Sequence, residues 1–214
     1  MKTDSRQILL LSTVAFLFCS VLAGAGLFRP LDEVVLELAQ RGNSVVVDGI
    51  GLLASLLGGV EFVAVAALTL AAGLVVRGWR RLAARLLAAF VITGIIELVF
   101  KMVVPQVPVP DEVLRGPDPS LFDVSTPYPY PSGHTLRAVL LFGAVYILWP
   151  NAPLRLAIVV FLVVSAASRL YLGTHWPSDM VGGALLGIAG LAWAFEGRKT
   201  SAFSGQPGKG GRPP

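Results

Sequence analysis

The chain reads as an all-α polytopic membrane protein, a helical bundle of six transmembrane helices, and three observations predict it. Hydrophobic residues make up 55% of the 214 positions and charged residues only 14%, with a mean hydropathy of +0.74. Apolar runs long enough to cross a bilayer recur from end to end, each able to satisfy its own backbone as a helix. Between them, basic and acidic connecting segments alternate. The formal net charge of +4 therefore marks the segments facing the cytoplasm rather than a nucleic-acid surface.

The first span runs from Ile8 to Phe28, behind Lys2 and Arg6. The same pattern fits a signal peptide with Ala23-Gly24-Ala25 as its cleavage site. A retained anchor is the better reading, because the downstream charges alternate correctly only if it stays. Leu31 to Arg41 mixes Asp32, Glu33 and Glu37 with Val34, Val35, Leu36 and Leu38, which predicts an interfacial helix. Val45 to Leu57 is apolar but carries Asp48 and glycines, the pattern of a re-entrant or surface-lying segment. The second span is Val60 to Val76 and the third Leu82 to Val104.

A loop rich in proline and acidic residues follows from Pro105 to Pro129. The fourth span runs from Ser132 to Trp149-Pro150, the fifth from Leu154 to Tyr171 and the sixth from Pro177 to Phe195. Together, residues 1–196 form one membrane domain. The segment 197–214, full of Gly, Pro, Ser and basic residues, predicts a disordered tail. Cys19 has no second cysteine to pair with.

Charge placement orients the bundle. The first loop (Arg29, Asp32, Glu33, Glu37, Arg41, Asp48) is net acidic, and the second (Arg77, Arg80, Arg81, Arg85) is strongly basic. The third (Asp111, Glu112, Arg115, Asp118, Asp123) is acidic again, while Arg155 marks the fourth and Arg198, Lys199, Lys209 and Arg212 the tail. Both termini are then cytoplasmic in the cell membrane, and the starts of the fourth and sixth spans face outward.

Those two starts hold both histidines of the chain. Pro131-Ser132-Gly133-His134 opens the fourth span, where N–H groups of a first helical turn beside a side-chain-free glycine make an anion site. Arg169 lies near the outer end of the fifth span, where a charge needs a partner, a task or a route to the interface. His175 precedes the sixth span, and Asp179 is one helical turn later, so its carboxylate reaches one ring nitrogen and leaves the other nucleophilic. Lys101 ends the third span four residues after Glu97, its possible partner. Singly, each also fits a plain helix cap or a snorkelling cation. All of them at one membrane face point to phosphate chemistry.

The arrangement resembles the type 2 phosphatidic acid phosphatase superfamily, which also contains the vanadium haloperoxidases. That family carries K-x6-R-P, then P-S-G-H, then S-R-x5-H-x3-D. The second block is complete at Pro131 to His134, and the third as Ser168-Arg169, His175 and Asp179. The resemblance implies a metal- and cofactor-independent membrane phosphatase in which His175 is the nucleophile, Asp179 orients it, and His134 is acid and base. It further implies that Lys101, Ser132, Gly133 and Arg169 bind the phosphoryl oxygens of a membrane lipid phosphate or diphosphate: phosphatidic acid, phosphatidylglycerol phosphate or a polyprenyl phosphate. The first block departs: Lys101 is followed by Val107-Pro108-Val109-Pro110, with proline where the family has arginine. Arg137, three residues after His134 on the same helix face, or Arg115 in the preceding loop could replace that cation, and Arg137 is favoured because an arginine inside a span's first turns otherwise lacks a purpose. A phosphotransferase would carry the same motifs, and a non-catalytic lipid-binding or transport protein on a decayed scaffold would lack part of them.

Overall fold

The computed structural model describes residues 4–42, 45–115 and 126–197. The side chain of Asp48, the acidic positions Asp118 and Asp123, Lys2, and the tail from residue 198 to 214 lie outside the described residues. The described chain is helical throughout: α1 (Ser5–Gly24), α2 (Arg29–Ala39), α3 (Val45–Gly58), α4 (Val60–Val76), α5 (Arg80–Val103), a 3-10 turn (Asp111–Val113), α6 (Gly133–Leu148), α7 (Ala152–Tyr171) and α8 (Pro177–Ala194). Each expected span is a helix, and the expected interfacial segment is α2.

By length and apolarity, α1, α5 and α7 can each cross a membrane, and α3 with α4, bent by 51° at the Gly58-Gly59 break, is a fourth, broken span or a re-entrant pair. Among the described residues three or four spans thus meet that measure, against the six expected, and α6 and α8 do not. α6 has 16 residues, short for a hydrocarbon core about 30 Å thick. α8 is the buried centre of the bundle and takes small residues in place of large apolar ones.

Lipid tails are as apolar as leucine, so helices in a bilayer associate by close packing rather than by burial from water. α8 packs against α1, α6 and α5, and its glycines set the distance. A Cβ on Gly183 would collide with the Ser132 carbonyl oxygen, and one on Gly187 would press on Val139. The outward faces are conventional for lipid contact: Leu10, Val14 and Val21 on α1, Val91 and Ile95 on α5, and Leu156, Val160 and Val163 on α7 are exposed. α2 lies with Leu31, Val34 and Leu38 exposed while Asp32 and Leu36 are buried.

Local signals end and start these helices where the sequence suggests. Asn151 caps α7, its side chain accepting from the Leu154 N–H at 2.9 Å. α7 ends in a turn with Gly173 at φ +71°, where a side chain would be strained and would meet the Val113 carbonyl. That turn delivers the chain to His175. At the other end of α8, Arg85 donates to the Trp193 carbonyl and Arg6 pairs with Glu196 at 2.7 Å, bracing α1, α5 and α8 together.

Candidate active site

The start of α8 is built from its own sequence. Asp179, the third residue of the helix, turns back so that its Oδ2 accepts from the Trp176 N–H at 3.0 Å. The same oxygen meets His175 Nδ1 at 3.1 Å, the i,i+4 contact expected from the spacing. Asp179 is 0% exposed, so this pairing takes place away from water. The Trp176 indole N–H donates to the Val107 carbonyl at 2.7 Å and holds the turn against the segment after α5.

The start of α6 is tied to it. The Ser132 N–H donates to the Asp179 carbonyl oxygen at 2.9 Å, so the two motif blocks meet through a backbone hydrogen bond. Ser132 is the N-cap of α6, its Oγ accepting from the Thr135 N–H at 3.5 Å. Among the described residues nothing accepts from the Gly133 N–H. A Cβ on Gly133 would occupy the space of the Glu97 carboxylate and crowd the Arg137 guanidinium. His134 follows, buried against Gly58, where a Cβ would stand 3.3 Å from its ring.

The cations converge on this start. Glu97, 5% exposed, holds Lys101 Nζ at 3.2 Å with one carboxylate oxygen and Arg137 Nη1 at 3.1 Å with the other. Arg169 is 1% exposed and donates to Ser55 Oγ at 2.5 Å. Arg169, Arg137, Lys101 and His175 all stand close enough to act electrostatically on His134. Every residue expected from the sequence is thus part of one cluster formed by α5, α6, α7 and the start of α8.

The two candidate substitutes for the missing arginine separate clearly. Arg137 shares Glu97 with Lys101, the surviving cation of the first block. Arg115 is used elsewhere: it donates to the Gly42 carbonyl at 2.9 Å and to the Gln40 carbonyl, and lies 4.7 Å above the Tyr171 ring. The Val-Pro-Val-Pro run is packing material, with Val109 buried beside Leu36 and Trp176.

Sequence reasoning missed Ser55, Gly58, Asp32 and Gln106. The adjacent glycines at 58 and 59 were the visible signal for a break. Nothing local announces that α3 would lay Ser55 and Gly58 over the site, since that follows from its packing against α7 and α6.

Comparison with known proteins agrees with this fold. The fold matches the crystal structure of a transmembrane PAP2 type phosphatidylglycerolphosphate phosphatase from Bacillus subtilis, with a TM-score of 0.70 and 21% identity, over 86% of this chain and 92% of that one. An undecaprenyl-diphosphatase of Sulfolobus acidocaldarius is 36% identical over 120 residues, 53% of this chain and 54% of the relative. The Escherichia coli (strain K12) protein YbjG, provisionally named an undecaprenyl-diphosphatase, is 36% identical over 75 residues, 33% of this chain and 37% of its own length. The chain thus spans about half or less of these curated relatives. The sequence profile of the PAP2 superfamily matches residues 82–202, more than half of the chain. That match takes in Lys101 and both helix starts, and the chain belongs to the PAP2 superfamily.

Proposed function

We propose that this protein is an integral membrane phosphatase, a single membrane domain over residues 1–196, that hydrolyses a phosphomonoester or diphosphate of a membrane lipid through a phosphohistidine at His175. The observation that carries the reading is the buried contact of His175 Nδ1 with Asp179 Oδ2 at 3.1 Å. With Nδ1–H donating to the carboxylate, Nε2 keeps its lone pair for attack.

In the first step His175 Nε2 bonds to phosphorus, the bond from phosphorus to the leaving oxygen breaks, and protonated His134 gives that oxygen its proton. In the second, His134 takes a proton from water, the water oxygen bonds to phosphorus, and the N–P bond breaks to release inorganic phosphate. Charge builds on the phosphoryl oxygens in both steps. Fixed donors suit that charge: Lys101, Arg169, the Ser132 hydroxyl and the Gly133 N–H. Arg137 supplies the cation that the first block lacks. The non-catalytic alternative drew its support from that missing arginine, so the placement of Arg137 on Glu97 beside Lys101 favours catalysis. Neither step calls for a metal or a cofactor.

The relatives named for undecaprenyl diphosphate and phosphatidylglycerolphosphate support a lipid phosphate or diphosphate as substrate. Helices with lipid-facing sides around the site suit a ligand whose tail stays in the bilayer. Charge alternation supports cytoplasmic termini and an outward-facing site in the cell membrane. The test is phosphate release by the detergent-purified protein from phosphatidic acid, phosphatidylglycerol phosphate and undecaprenyl diphosphate, with a chelator present and His175→Ala alongside. Release that withstands chelation and disappears in His175→Ala is expected. Release that survives the substitution would remove His175 as nucleophile.

A further inference from the structure

α8 has a first-turn problem that its own sequence does not solve. The residue before the helix is Trp176, whose side chain offers no oxygen to cap the free N–H groups. Asp179 serves the Trp176 N–H from within the helix. The Ser178 N–H is served from outside: Asp32 of α2 accepts from it at 2.9 Å, and its other oxygen accepts from Ser178 Oγ at 2.6 Å. Asp32 is 3% exposed and lies 146 positions away in sequence. Burial pushes its carboxyl above the usual carboxylate range, while the two Ser178 hydrogen bonds pull it back and the neighbouring Asp179 charge pushes it up. Arg29 on the same helix is paired with Glu33 at 2.8 Å, so α2 offers Asp32 no obvious cation of its own.

The hydrogen bonds continue to the catalytic carboxylate. Ser178 Oγ accepts from Gln106 Nε2 at 2.8 Å, and the Gln106 amide stands beside the Asp179 carboxylate. Gln106 Oε1 and Asp179 Oδ1 are buried with no hydrogen-bond partner among the described residues. The Asp179 carboxylate thus meets His175 through Oδ2 and has the Gln106 amide beside it, and Gln106 is tied to Ser178, which Asp32 holds in place.

We propose that Asp32 is a positioning residue: by capping the first turn of α8 through Ser178, it aims the Asp179 carboxylate at His175 Nδ1. The proposal rests on the reading of His175 as nucleophile for its kinetic consequence, but the geometry it asserts can be measured without turnover. A first turn that relaxes by a fraction of an ångström would loosen the Asp179–His175 contact, and misplacement near 1 Å costs on the order of 100-fold in rate.

Two measurements test it. The chain has only two histidines, so ring-15N-histidine NMR of the detergent-solubilised protein resolves each imidazole. In the native protein His175 should hold one tautomer, with the proton on Nδ1. Asp32→Ala should shift His175 toward a tautomer mixture, Asp32→Asn, which keeps an acceptor, should do so less, and Ser178→Ala should move it the same way. Unchanged His175 signals in all three variants, where Asp179→Asn changes them, would overturn the proposal. The second measurement is kinetic, on dioctanoyl phosphatidic acid in micelles. Asp32→Ala should lower kcat about 10- to 100-fold with KM within about twofold, and less than about twofold in an Asp179→Asn background. An equal factor in both backgrounds would make Asp32 a residue of the fold alone. A native protein that releases no phosphate at all would count against the proposed function and leave the NMR outcome to decide the role of Asp32.

Discussion

α8 begins with carboxylates and α6 begins with cations, although the two helix starts share one site. At α8, Asp179 and Asp32 accept from the first turn and leave the backbone satisfied. At α6, the Gly133 N–H has no acceptor among the described residues, and the Glu97 carboxylate packed against Gly133 bridges Lys101 and Arg137. Both are positive dipole ends that stabilise negative charge. The α8 start has spent that potential on Asp179 and on Asp32 of α2, a rigid mount for His175 in the mechanism we propose. The α6 start, in the same proposal, keeps it for a phosphoryl group. One physical feature thus underlies the orienting half and the binding half that we propose, and the difference lies in what the carboxylate is bonded to: backbone N–H groups at α8, and the cations Lys101 and Arg137 at α6.

This division can be broken from either side. The largest effect is expected at the orienting half: His175→Ala should lower phosphate release by roughly 10⁴-fold or more, as removing a covalent nucleophile does elsewhere. A single-turnover assay with radiolabelled substrate, reading the trapped phosphoenzyme, checks it directly. Next comes the binding half. Gly133→Ala puts a methyl group where the Glu97 carboxylate lies, displacing the residue that holds two cations. A kcat loss of about 100-fold is expected, with a destabilisation of about 1–3 kcal/mol from overpacking, read by thermal melting.

Arg137→Ala should cost about 100- to 1000-fold in kcat, the range for removing one donor to a developing oxyanion. Arg115→Ala, whose partners are backbone carbonyls of the loop after α2, should change kcat less than about threefold. Equal small losses from both would remove Arg137 as the substitute cation. The smallest effect belongs to neither half. Val163 is 63% exposed on α7, so Val163→Ala should leave activity unchanged and stability within about 0.5 kcal/mol.

What was legible before any coordinates follows a rule of distance along the chain. His175 with Asp179 and Lys101 with Glu97 are i,i+4 pairs, so a helix alone brings them together. The helices, α2 among them, and their starts were legible for the same reason, because apolar runs, proline and glycine act locally. Arg137 was an inference from its place in the first turns of one helix, and its partner was not readable from that helix. Glu97 is 40 residues away on α5.

The sequence by itself thus determined the helices, the two histidine-bearing starts and the local His175–Asp179 pair, since hydrophobic runs in a bilayer have few alternatives to helix. Tertiary structure alone decided that Arg137 shares Glu97 with Lys101, that Ser55 and Gly58 lie against Arg169 and His134, and that Asp32 caps α8 across 146 positions. Those contacts depend on how closely helices approach. In this bundle that approach is governed by glycines such as Gly133 and Gly183, where the absence of one Cβ admits the carboxylate or carbonyl of a neighbour.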